Sequence, residues 1–209
     1  MEGDQEPPEP GEWSGLRAIA TLTELNTRCF AMLAEAAKGD KAAAQCGAIY
    51  RARDLWMQVD QRSCERAGRC PVLLLNLNFD DAVWWKRVSA RPFAVLAPTT
   101  VPAFTREDGA RTLLRDILME VWRLGGALPS AGNLLFGLAP GISAEISKLS
   151  ASEIEHIAIN YAAELRPRWE DNGVFWRNLL EAVIGTDDEA LFNVSLHCWQ
   201  LLGVELERR

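Results

Sequence analysis

Three arginines, Arg62, Arg66 and Arg69, fall at i, i+4 and i+7, so a helix through them sets three guanidinium groups on one face. Such a row reads either as a solvated helix face or as a stripe of phosphate contacts to DNA, which position a duplex without reading its bases. Two acid pairs, Asp80-Asp81 and Glu170-Asp171, have the residue type of a general acid and base. Each pair stands just ahead of an aromatic helical stretch, however, where acids cap a helix N-terminus. His156 and His197 are the only histidines, and no nucleophile or base is spaced around either. The chain therefore reads as no enzyme. Cys64 and Cys70 have five residues between them, and His197 and Cys198 are adjacent on a helix, so neither pair has zinc-ligand spacing. The expectation is no metal, no cofactor and no disulfide, with all five cysteines serving as small apolar side chains.

The aromatic residues carry a stronger pattern. Phe79-Asp80-Asp81-Ala82-Val83-Trp84-Trp85-Lys86 and Trp169-Glu170-Asp171-Asn172-Gly173-Val174-Phe175-Trp176-Arg177 both read as an aromatic, two acids, a spacer, Val, two aromatics and a base, the first with one spacer residue fewer. Each follows apolar-periodic sequence of similar length, so the simplest account is a duplicated helical unit. Consecutive aromatics on a helix point in different directions, which leaves part of the set Trp84, Trp85, Phe175 and Trp176 for a partner surface.

The elements that must position these residues are helices. Leu16, Ile19, Leu22, Leu25, Cys29, Phe30 and Leu33 recur at three and four and predict a helix from Ser14 to Lys38. Asp40 and Asp54 are expected to cap two further short helices, and Val72 to Phe79, after Pro71, an extended segment. Asp81 is expected to cap the helix with Trp84 and Val88. Residues 91–109, with Pro92, Pro98, Pro102 and three threonines, read as a linker. The second half predicts a helix from Gly109 to Leu124, stopped by Gly125-Gly126, whose stripe is Leu113, Ile117, Leu118, Val121 and Trp122. Ser143 is expected as an N-cap, and Ser150 with Glu153 as a capping box before Ile154, Ile157, Tyr161 and Leu165. Asp171 caps the second aromatic helix, and Asp187 or Asp188 starts a last one with Leu191, Val194, Cys198, Leu201 and Leu202 inward. The expected fold is all-α: residues 14–90 and 110–209 as two similar small helical units packed as a pseudo-dimer, each with a short extended segment, behind an acidic disordered tail at 1–13.

Charge limits the partners. The net charge is −7, and five of the 29 acids lie in residues 1–12 with no Lys or Arg among them. The rest is close to balanced, which argues against strong unaided nucleic-acid binding, since that needs a concentrated basic surface. No apolar run approaches the ~18 residues of a spanning helix, and the acidic, proline-rich start is unlike a secretory signal, so a cytoplasmic location is expected.

Phe136-Gly137-Leu138, Ile142, Leu149-Ser150-Ala151-Ser152-Glu153-Ile154-Glu155-His156-Ile157-Ala158 and Arg168-Trp169-Glu170 together resemble the FlhD family, a subunit of the bacterial flagellar master transcription regulator. In the first half, Asp40-Lys41-Ala42-Ala43-Ala44 and Asn78-Phe79-Asp80 are similar to the family's corresponding Asp-Lys-Ala and Arg-Phe-Asp stretches. The likeness covers most of residues 16–90 and 110–203. It departs from the family in carrying two units in series, and in having Leu75 and Leu165 where the family often has a cysteine. The resemblance implies a non-enzymatic regulator that acts on DNA with a zinc-binding FlhC-like partner. Arg62, Arg66 and Arg69 are then the candidate DNA contacts. The alternative is an adaptor or antagonist that occupies such a partner without binding DNA.

Overall fold

The computed structural model describes residues 10–39, 46–93, 102–104 and 107–207. Helix α1 (Pro10–Lys38) is followed by α2 (Gly47–Tyr50), α3 (Arg53–Trp56), α4 (Gln61–Gly68), strand β1 (Leu75–Asn76) and α5 (Ala82–Ala90). The second half runs α6 (Glu107–Ala127), α7 (Pro129–Phe136), α8 (Ile142–Ser147), α9 (Ala151–Tyr161), a 3-10 turn (Ala162–Glu164), β2 (Arg166–Pro167), α10 (Gly173–Ile184) and α11 (Asp188–Glu207). The fold is all-α, and no described helix is long and apolar enough to cross a membrane.

Local chemistry explains most boundaries. Asp60 caps α4 by accepting from the Ser63 amide at 2.8 Å. Ser150 and Glu153 close the capping box of α9, satisfying amides that the helix itself cannot reach. Several boundaries differ from expectation. α1 begins at Pro10, so the segment expected to be disordered contributes its first turn, while residues 1–9 lie outside the described residues, as does Asp40. α6 passes through Gly125-Gly126 and stops at Ala127, because Pro129 cannot continue it and instead opens α7. α8 starts at Ile142 behind Gly141, one residue before the expected cap Ser143. Asp54 lies inside α3, and Leu165 lies beyond the end of α9.

The two aromatic stretches occupy matching places. Each residue of β2 stands 91 positions after its counterpart in β1, Leu75 to Arg166 and Asn76 to Pro167. The strands pair antiparallel with Leu75 opposite Pro167 and Asn76 opposite Arg166, so each position faces the counterpart of its neighbour. That reciprocity is the pattern of an isologous contact about a local twofold. At the same spacing, Asn78 (φ 48°) and Trp169 (φ 52°) are, among the described residues, the two non-glycine residues in the left-handed region. The Asp81 amide donates to Asn78 O at 2.9 Å, and the Asn172 amide to Trp169 O at 2.8 Å. Asp81 then accepts from Trp84 N, and Asn172 from Phe175 N. The Trp85 indole donates to Leu77 O at 3.2 Å, and that of Trp176 to Arg168 O at 3.1 Å. The match therefore runs without a gap, and the expected cap Asp171 is replaced by Asn172.

The halves do not bury separate cores. One hydrophobic cluster runs through both, α1 packs on α4 and α6, α5 packs on α8, and α10 packs on α2, α3 and α4. The aromatic helix of each half thus lies against short helices of the other. Asn26, fully buried in α1, donates to Cys70 O and Val72 O and accepts from Leu74 N, which satisfies the extended backbone leading into β1. Arg28 of α1 pairs with Asp116 of α6 at 2.8 Å. All five cysteines are free and buried, and burial pushes the thiols of Cys29, Cys46 and Cys64 up.

Candidate interaction surface

The three arginines do not form an exposed stripe. Arg62 and Arg69 face solvent, but Arg66 is 6% exposed, and its guanidinium donates to Asp188 Oδ1 at 2.7 Å, Asp187 O at 2.9 Å and Ala182 O at 3.2 Å. The reason is the packing of α4 on α10, which carries the Arg66 face under the turn between α10 and α11. Arg66 is a structural clamp, and two of the three candidate DNA contacts remain accessible.

The candidate partner aromatics are likewise in the core. Trp85, Phe175 and Trp176 are fully buried and Trp84 nearly so. Trp176 stacks within 6.5 Å of Phe30 and lies 6.0 Å from Trp56, joining α10 to α1 and α3, while Trp84 meets Tyr161 of α9 edge-on at 5.1 Å. Consecutive aromatics need not leave one outside when helices pack on both sides. Val83 and Val174, counterparts at the same 91-residue spacing, face out at 76% and 66% exposure. Trp122, expected inward, is also partly exposed, its indole donating to Leu149 O at 2.9 Å.

The concave surface lies where the two matched junctions meet. A groove of about 1010 Å³ is lined by Asp80, Asp81 and Val83 from the start of α5, by Asp171 and Asn172 ahead of α10, and by Leu201, Val204 and Leu206 of α11. Asp80 and Asp171, and Asp81 and Asn172, are counterparts at the 91-residue spacing, so the groove draws on matching positions of both junctions. Its lining holds carboxylates and no Lys or Arg. Glu205, at its edge, accepts from the Trp169 indole at 3.2 Å and from Arg168 at 3.4 Å. Arg168, 1% exposed, also donates to Phe136 O at 2.8 Å, and a Cβ added at Gly137 (φ 58°) would run into its guanidinium. Only glycine fits that position, on conformation and on space.

Helix α11 is apolar on two sides. Leu191, Val194, Cys198 and Leu202 face the core, as expected. Phe192 (61% exposed), Leu196 (46%), half-buried Trp199, Gly203 and Leu206 form a second stripe at spacings of four, three, four and three. A Cβ at Gly203 would meet nothing, so packing within the chain does not require glycine there, although glycine inside a helix costs about 0.5–1 kcal/mol relative to alanine. Both features were written in the sequence: the second stripe as a three-and-four periodicity, and the groove as the repeated acids.

Among the described residues, no three His, Cys, Asp or Glu side chains come together in a way that could hold a metal ion. The carboxylates with displaced acidity are explained by helix ends and neighbours: hydrogen bonds from Ser63 hold Asp60 low, those from Ser150 hold Glu153 low, and Lys148 with Ser89 does so for Glu145. Comparison with protein-family models, curated proteins and solved structures finds no match to this chain.

Proposed function

We propose that this protein is a tandem FlhD-like transcription-regulator subunit, a covalent pseudo-dimer of residues 14–90 and 110–209 that acts on DNA together with an FlhC-like partner in the cytoplasm. The observation that carries the reading is the reciprocal pairing of β1 with β2. A family whose members pair as homodimers needs a self-complementary contact about a twofold, and this chain supplies such a contact between its own halves. Fusing two units removes the concentration dependence of pairing and lets the two faces diverge. The near-neutral body supports a division of labour in which the partner provides most phosphate contacts and Arg62 and Arg69 add a few.

The test is a pull-down with an FlhC-like protein followed by a gel shift with and without this chain. The expected result is a ternary complex with DNA. A chain that neither binds the partner nor changes its shift removes the proposal.

A second reading, an adaptor or antagonist of such a regulator, is favoured by the engagement of Arg66, which leaves a thin basic surface. It gives the opposite gel-shift result, a partner held in complex and released from DNA.

A further inference from the structure

The groove between the matched junctions exists only because both halves build it. Asp80, Asp81 and Val83 come from the first half, and Asp171 with the last turns of α11 from the second. Its volume of about 1010 Å³ stands at the top of the ~300–1,000 Å³ range of ligand clefts, room for several residues of a peptide. Val83, Pro140, Leu201, Val204 and Leu206 supply apolar surface, and Val83 is 76% exposed.

The carboxylates of the groove divide into an engaged one and three available ones. Glu205 is held by Arg168 and the Trp169 indole, so it brings no free charge. Asp80 accepts from the neutral Asn76 amide at 3.2 Å, and Asp81 from the Val83 and Trp84 amides. Arg51 donates to the carbonyl of Asp171 at 2.7 Å, a bond that leaves the carboxylate out. Among the described residues, none of Asp80, Asp81 and Asp171 stands in an ion pair. Three exposed carboxylates thus line an apolar cleft without an ion-pair partner, a surface that repels nucleic acid and anionic membranes and draws a cation. We propose that this groove docks a short segment of another protein that mixes lysines or arginines with apolar side chains. The cations meet Asp80, Asp81 and Asp171, and the apolar groups meet Val83, Leu201 and Val204. The assignment does not rest on DNA binding, since a regulator subunit and an adaptor both have to hold a partner.

Short random peptides displayed on phage are selected against the full chain, and the leading ones are synthesised, labelled and titrated by fluorescence anisotropy. The selected pool is expected to be enriched in Lys and Arg, and its binding to weaken as salt is raised. The triple variant Asp80→Asn, Asp81→Asn and Asp171→Asn keeps the cap of α5, because asparagine accepts the same amides, and is expected to bind at least about tenfold more weakly. Val83→Lys, at an exposed position, brings a competing cation into the groove and should also lose binding, whereas Met57→Glu, just beyond α3, should bind as the parent does. A pool without basic enrichment, or equal binding by the parent and the triple variant, overturns the proposal. Arg208 and Arg209, next in the chain after Glu207, are the rival occupants. If Arg208→Ala with Arg209→Ala tightens peptide binding by about tenfold or more, the groove belongs to the chain itself and the proposal falls. It falls too if sedimentation shows a dimer that the triple variant dissolves, which assigns the groove to a second copy.

Discussion

The two strand-to-helix junctions have the same backbone and different side chains. At the first, Leu77 is buried among apolar neighbours and Asp81 caps α5. At the second, Arg168 occupies the place of Leu77 and Asn172 that of Asp81, yet the left-handed residue, the cap and the indole-to-carbonyl bond all recur. The difference lies in what surrounds each one. At the second junction Glu205 of α11, with the carbonyls of Phe136 and Gly137, gives a buried guanidinium its partners. A junction of this kind is held by its backbone bonds and its indole, while the third side chain is free to take whatever chemistry the neighbouring elements satisfy.

The largest test of that equivalence is loss of the indoles. Trp85→Ala and Trp176→Ala each delete a fully buried ring and its carbonyl bond, and each is expected to lower stability by about 3–5 kcal/mol in urea denaturation. Two equal losses support equivalent junctions, while a near-silent variant at either one breaks the comparison.

Exchange of the divergent position should separate the junctions. Arg168→Met leaves the Phe136 and Gly137 carbonyls short of a donor and should cost about 1.5–3 kcal/mol. Leu77→Met keeps an apolar side chain in an apolar place and should cost less than about 1.5 kcal/mol. If the two costs came out equal, the guanidinium would not be what distinguishes the second junction.

Smaller effects are expected at the caps. Asp81→Ala and Asn172→Ala should each cost about 0.5–2 kcal/mol, whereas Asp81→Asn and Asn172→Asp should be close to neutral by thermal unfolding, because both side chains accept from the same amides.

The gentlest probe is pH. The carboxyls of Asp60 and Glu153 are held below their ordinary 3.8 and 4.5 by helix-end hydrogen bonds, so the stability they lend is present above those values and lost as pH falls through the lowered ones. The thiols run the other way. Burial raises Cys29 and Cys46 above 9.0, and a hydrogen bond with Cys198, together with burial, raises Cys70. Their contribution is complete below 9.0 and fades above it, as the unfolded chain gains by ionising. The urea midpoint should therefore hold level near neutrality and fall on both sides. Asp60→Asn should flatten the acid limb alone, and a parent midpoint that stays level above pH 9.0 would contradict the buried thiols.

Periodicity and turn chemistry were legible along the chain. The three-and-four spacing from Leu22 to Leu33 determined the buried face of α1, the Ser150 and Glu153 pair determined where α9 starts, and the recurrence of Val, two aromatics and a base marked the matched junctions. These signals are readable because they are set by bonds and contacts within a few residues. Of the acid pairs, Asp80-Asp81 gave the cap of α5 correctly and Glu170-Asp171 misled by one position, since either of two adjacent polar residues can cap a helix and only the backbone bend at Trp169 selects between them.

Burial of the polar and aromatic candidates was decided only by the tertiary structure. Arg62, Arg66 and Arg69 share a face on any helical wheel, but Arg66 is removed from that face by the approach of the α10–α11 turn more than a hundred positions further along. Trp84, Trp85, Phe175 and Trp176 look like a surplus on two helices and become core because α5 lies against α8 and Tyr161 of the other half, and α10 lies between α11 and the short helices of the first half. By itself the sequence determined that the chain is helical, where α5, α9 and α11 begin, and that one junction motif recurs. Which of those residues are left facing solvent depended on helices far apart in the chain, because burial is a property of the packed whole and local spacing carries no record of a distant partner.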